Sequence, residues 1–167
     1  MGGGTDPKKG LTHFDEQGAA RMVDVGAKAS TQRSATATAT VHASRETIEI
    51  IRSGRAAKGD VLGVARIAGI MAAKKTHELV PMCHPLMITS ADVQFDIGTT
   101  SVHIAATVKT TGQTGGEMEA LTAVTVAALT MYDMVKAVDR GMRISDVQLE
   151  HNAVGASGEW VRSDDPS

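Results

Sequence analysis

A chain of 167 residues is long enough to bury a core within one domain. Its net charge of -2 and pI near 6.3 give no pull toward nucleic acid or acidic membranes, and 2 % aromatic residues leave no platform for stacked bases. The single cysteine, Cys83, excludes an internal disulfide framework, and no opening stretch or apolar window has the form of an export signal or a span, so the expectation is a soluble, cytoplasmic protein.

Residues 1–10 are glycine-rich, charged and aperiodic, and are expected to be a disordered lead-in. A single domain over 11–160 follows, with 161–167 as a fraying tail. Residues 11–30 carry scattered apolar positions and two glycines, which suits an ordered but irregular arm. From Arg33 to Ala43, small apolar residues alternate with Thr, the period of a strand. Ser44 can cap the short helix RETIEIIRS, and Gly54 can close it. Asp60 is a good N-cap for VLGVARIAGIMAAKK, whose apolar positions form a helical stripe. Pro81 and Pro85 end any continuation.

Met87 to Ile97 and Ser101 to Thr110 predict a hairpin turning at Gly98-Thr99-Thr100. The helix from Gly115 to Val138 comes next, with Thr114 and Glu117 spaced as a capping box. Arg143 to Glu150 alternates as a last strand, and the remainder is expected to be loop. This order predicts an α+β, ferredoxin-like fold: a four-stranded antiparallel sheet with helices packed on one face.

The long helix is apolar almost all the way round yet carries Glu117, Glu119, Asp133 and Lys136. Charges on such a helix are expensive to bury unless partnered. Asp133 and Lys136, three apart, share a face. Glu119 points to roughly the same side, but the helical rise separates it from Asp133 by about 21 Å. One compact site cannot easily use both ends, so either the site is long or a second copy of the chain brings the other end close. Glu117 is explained by capping, whereas Glu119 is not and is the better functional candidate.

The loop Pro81-Met82-Cys83-His84-Pro85 presents Cys83 and His84 from a stiff, non-helical backbone. His84 is either functional or a loop histidine bonded to backbone, and Cys83 suits a small buried filler. The loop has no second cysteine and no metal-ligand spacing, so no metal is expected. Lys58, before Gly59-Asp60, is either a solvated turn lysine or part of a phosphate cradle beside free helix amides. Arg33 and Arg66 are further candidate anion ligands, although Arg66 suits a structural arginine at the sheet edge equally well. Lysines, arginines, acids and one histidine, with no nucleophile elbow, fit a small anionic substrate handled by acid–base chemistry.

The runs KGDVLGVARIAGIMAAKKTHELVPMCHPL and GEMEALTAVTVAALTMYDMVKAVDR, with the earlier MVDVGAKA, closely resemble the cyclic pyranopterin monophosphate synthase family of molybdenum cofactor biosynthesis. The resemblance covers about Leu11 to Leu149. It implies an enzyme that converts a cyclised dihydro-GTP to cyclic pyranopterin monophosphate, releasing pyrophosphate, with no cofactor. It also implies a homohexamer, a trimer of dimers, with active sites at subunit interfaces. The catalytic positions fall on Asp133, Lys136 and Lys58. The substrate-binding positions fall on Met82, Cys83, His84, Glu117, Met118 and Glu119, and Arg33 matches an arginine placed for phosphate. The chain departs from the family at its tail, where a loop resembling KSGGKSG reads NAVGASG, with Asn152 at the first lysine's position and Ala156 at the second. The alternative is a non-catalytic nucleotide- or phosphate-binding regulatory subunit of the same fold.

Overall fold

The computed structural model describes residues 16–24, 26, 31–155 and 158–164. The expected lead-in over 1–10 and most of the expected arm lie outside them, as does Ala156. Nine elements follow one another: β1 (Thr31–His42), α1 (Arg45–Ser53), α2 (Val61–Lys74), α3 (Thr76–Leu79), β2 (Ile88–Ile97), β3 (Ser101–Gly112), α4 (Glu117–Val135), β4 (Arg143–Val154) and β5 (Gly158–Val161). The strands form one antiparallel sheet in the order β2-β3-β1-β4-β5.

β1 is the middle of that sheet, and its alternation decides which side carries the core. Ala35, Ala37, Ala39 and Val41 are fully buried, as are Val102, Ile104 and Ala106 on β3. Between them, Thr36 and Thr107 face the other way and share a hydroxyl hydrogen bond of 2.8 Å. The buried side meets α4, which packs on β1, β3 and β4 and side by side with α2. Alanine on both partners lets the helix lie close to the sheet, and Ala120, Ala123, Ala127 and Ala128 supply α4's half of that contact.

The local signals explain most helix ends. Ser44 accepts from the Thr47 amide and starts α1, and Gly54, at φ 72, closes it. The Asp60 carboxylate accepts from the Gly63 amide at 3.0 Å and starts α2. Two expectations are corrected. The sheet has five strands, not four: after β4 the chain turns at Gly155, whose φ is 45, and returns as β5, pairing His151 with Val161 through Val154 with Gly158. That segment has no apolar alternation, so only pairing with an already placed edge makes it a strand. The capping box also does not form. The N-cap of α4 is Gly116 with no side-chain cap, and the Glu117 carboxylate accepts instead from Asn152 Nδ2 at 2.6 Å. The short α3 went unforeseen; it is anchored by the Thr76 hydroxyl, which donates to the Ala72 and Ala73 carbonyls at 3.1 and 3.0 Å.

Gly69 marks the closest approach of α2 to α4. A Cβ there would lie 3.0 Å from the Ala123 carbonyl oxygen and 3.3 Å from Ala127 Cβ and Val93 Cγ2. The first of these neighbours is helix backbone and cannot turn aside. Gly69→Val should therefore destabilise the chain by about 1–3 kcal/mol through overpacking, despite the better helix propensity. Urea unfolding, with the slope compared between variant and wild type, measures it.

Candidate active site

Two corners of the molecule gather charge, one at each end of α4. At the C-terminal end, Asp133 stands between two lysines. Lys136 Nζ lies 2.9 Å from its Oδ1, one helical turn on. Lys58 reaches it from the turn before α2, with Nζ 3.2 Å from Oδ2 and 3.1 Å from the Asp133 carbonyl oxygen. Gly59, at φ 103, makes that turn tight enough to aim Lys58 back at α4. The free-amide cradle considered for Lys58 is not what forms, because Asp60 takes the amide of Gly63 and the ammonium points to Asp133. Nor is the carboxylate half-buried, as its companions suggested: its side chain is 56 % exposed. Hydrogen bonds from Lys136 and then Lys58, with their positive charge, hold its carboxyl below the usual aspartate range. A permanently charged carboxylate flanked by two ammonium groups can accept a proton and hand it on over a short path.

At the N-terminal end the chemistry is drier. Glu119 is only 2 % exposed, and its Oε2 is buried without a hydrogen-bond partner among the described residues. Its other oxygen receives the Cys83 thiol at 3.6 Å. Burial, more than any neighbour, pushes the Glu119 carboxyl above its ordinary value. Burial and the adjoining Glu119 also raise the Cys83 thiol to about 11. Cys83 is thus more than packing: it is a protonated donor held on a carboxyl. Glu117, two residues before Glu119, is engaged by Asn152, whose Oδ1 is also buried and unpartnered. His84 follows Cys83 and lines a cavity of about 430 Å³ with Pro85, Leu86, Met87 and residues 111–114. Met82 and Met118 are partly exposed beside this corner.

Arg33 enters the sheet next to the same corner, and its Nε donates to the Gly112 carbonyl at 3.3 Å. Arg66 takes the structural course, since its Nε donates to the Val93 carbonyl at 3.0 Å and its guanidinium lies 5.5 Å from the Phe95 ring centre. The fold therefore joins Lys58 to Asp133 and Lys136, and Cys83 to Glu119. It keeps the two groups at opposite ends of one helix, about 21 Å apart by the helical rise. Among the described residues no three of His, Cys, Asp and Glu converge as metal ligands. Two polar residues of the His84 cavity, Gln113 and Thr114, were not singled out by sequence reasoning; their closeness to His84 comes from β3 ending beside the start of β2.

A sequence model of the MoaC family matches residues 22–155. The chain belongs to the MoaC family. It is 60 % identical over 157 residues to a cyclic pyranopterin monophosphate synthase of Desulfitobacterium hafniense, an alignment covering 92 % of this chain and 95 % of the relative. The synthase of Pelotomaculum thermopropionicum is 61 % identical over 155 residues, covering 92 % and 91 %. That of Thermomicrobium roseum is 59 % identical over 157, covering 93 % and 95 %. Within this MoaC chain the departure at Asn152 has a visible local result, because an amide rather than an ammonium now faces Glu117.

The electrostatics of both corners can be checked by titration. Folding raises the Glu119 pKa, so the native chain binds a proton that the unfolded chain has already released, and stability falls as pH rises from the ordinary glutamate range through the folded value. Glu119→Gln, neutral at all pH, should be more resistant to urea than wild type near pH 8, with the difference vanishing toward pH 4. At the other corner, Lys136→Met removes the largest influence lowering Asp133. It should move the titration of the Asp133 carboxyl to higher pH, read by carbon NMR on aspartate-labelled protein.

Proposed function

We propose that this chain is a cyclic pyranopterin monophosphate synthase of molybdenum cofactor biosynthesis, a lyase acting on a cyclised dihydro-GTP with release of pyrophosphate. One observation carries the reading: Asp133 held between Lys58 and Lys136, in a chain about as similar to the named synthases as they come at 59–61 % identity. Asp133 serves as the proton-moving base while the five-membered ring opens and the pterin closes. Lys58 and Lys136 keep it ionised and steady the negative charge that develops near it. Met82, Cys83, His84, Glu117, Met118 and Glu119 form the binding side, with Arg33 as a phosphate ligand. The chemistry uses side chains alone, with no cofactor and no metal, in the cytoplasm.

The separation of the two corners supports a site completed by a second copy, in a homohexamer built as a trimer of dimers. An exposed apolar row on the helix layer, Ile67 and Met71 of α2 with Met118 and Leu129 of α4, is consistent with such packing. The strand order β4-β1-β3-β2, with helical connections between β1 and β2 and between β3 and β4, supports a ferredoxin-like reading in which β5 is an added edge. The second reading, a non-catalytic nucleotide- or phosphate-binding subunit, is favoured only by Asn152 standing where the family carries a lysine.

Incubation with the cyclised dihydro-GTP, monitoring pyrophosphate and the fluorescence of the oxidised pterin, separates the two readings. Asp133→Asn should lower kcat by about 10² to 10⁴ while substrate Kd stays within about twofold. Normal turnover by that variant would remove Asp133 from the role of base.

A further inference from the structure

Sequence reasoning passed over Lys109, and the fold gives it an unusual position. On β3 it lies opposite Ser34 of β1, and Ser34 in turn lies opposite Ala153 of β4. Residues opposite one another in an antiparallel pair share a face. Since Val108 and Ala35 point into the core, this row of Lys109, Ser34 and Ala153 points away from the helices. Two of its three members are small, so open space remains beside the lysine. The result is a cavity of about 340 Å³, large enough for a small ligand.

Its lining is cationic and neutral, with no acid. Arg33 and Lys109 supply the charge; Gln32, Ser34, Thr89 and Gly155 are among the rest. Thr89 donates its hydroxyl to the Lys109 carbonyl at 3.2 Å, across the register shift between Ile88 and Ser90, and so fixes the backbone that carries the lysine. The Lys109 ammonium has no ion pair or hydrogen bond among the described residues. The nearest acid on this face from the tail is Glu159, opposite Ala153, and it is bonded to His151. The tail that walls the cavity, Ala153 to Gly155, brings no cation of its own.

We propose that Lys109, together with Arg33, binds the pyrophosphate end of a polyphosphate ligand in this cavity. Two unlike cations and neutral hydroxyl and amide donors around an acid-free space suit an anion with many oxygens: Arg33 offers a planar fork and Lys109 a movable point charge. The site deepens the synthase reading and rests on it for the identity of the natural ligand, the leaving pyrophosphate of the substrate. It explains how a MoaC chain without tail lysines keeps a grip on that group, since β3 supplies the charge.

The probe is inorganic pyrophosphate, titrated calorimetrically into the full chain. Lys109→Gln should weaken its binding about tenfold, and Lys109→Arg should hold it within about threefold. Lys74→Gln, an exposed lysine on α2 outside the cavity, serves as the control for general charge and should change nothing. In turnover with the cyclised dihydro-GTP, Lys109→Gln should raise KM about tenfold and leave kcat within about twofold. The inference falls if wild type does not bind pyrophosphate, if Lys109→Gln binds it as well as wild type, or if Lys74→Gln loses as much. A wild type without turnover whose pyrophosphate binding still depends on Lys109 would sink the synthase reading and support the cavity. Full turnover with unaltered Lys109→Gln kinetics and binding would do the reverse.

Discussion

The alanine contact between α4 and the sheet governs where everything else can go. Ala35, Ala37 and Ala39 of β1 meet the small residues of α4, and Gly69 of α2 admits the same helix from the side. Small side chains give each contact little apolar area, so the stabilisation comes from many close approaches rather than a few large groups. Such an interface has little slack, because a larger side chain on either partner meets backbone. α4 is thereby a rod held at fixed height over β1. Whatever its two ends carry is placed with the precision of the core itself, not of a loop.

The two ends are electrostatic opposites. Asp133 sits in water among lysines and is kept ionised; Glu119 is out of water, and its burial favours the proton. Two carboxyl groups on one helix are thus pushed toward different protonation states by surroundings alone. α4 also has the length and apolarity of a membrane span, yet half of its most apolar window is covered by the sheet and by α2. Its apolar character is that of a core helix that leaves one row, Met118 and Leu129 among it, unclothed.

Much of this was legible in the residues. The caps of α1 and α2, the hairpin at Gly98 and the strand period of β1 all rest on local rules that the tertiary structure did not override. The pairing of Asp133 with Lys136 follows from helix spacing, and the partnership with Lys58 was reachable only through the family resemblance, since nothing local says where a turn lysine will point. The Thr114–Glu117 cap failed because Asn152, distant in sequence, offers Glu117 a better-placed donor. β5 escaped notice because its edge position asks nothing of its side chains. The burial of Glu119, by contrast, was hinted at by an acid on a greasy helix. What the sequence could not convey is that Cys83 would be its companion, because that contact depends on how the Pro81–Pro85 loop folds back over the first turn of α4.

That companion gives the chain an optical handle of its own. A thiol whose ionisation lies near pH 11 has almost no thiolate at neutral pH, so Cys83 in the folded molecule reacts sluggishly with alkylating and disulfide reagents. Unfolding, or local opening of the loop from Glu119, returns an ordinary thiol that reacts far faster. As the only sulfhydryl in the chain, it turns the rate of labelling into a clock for how often that corner opens.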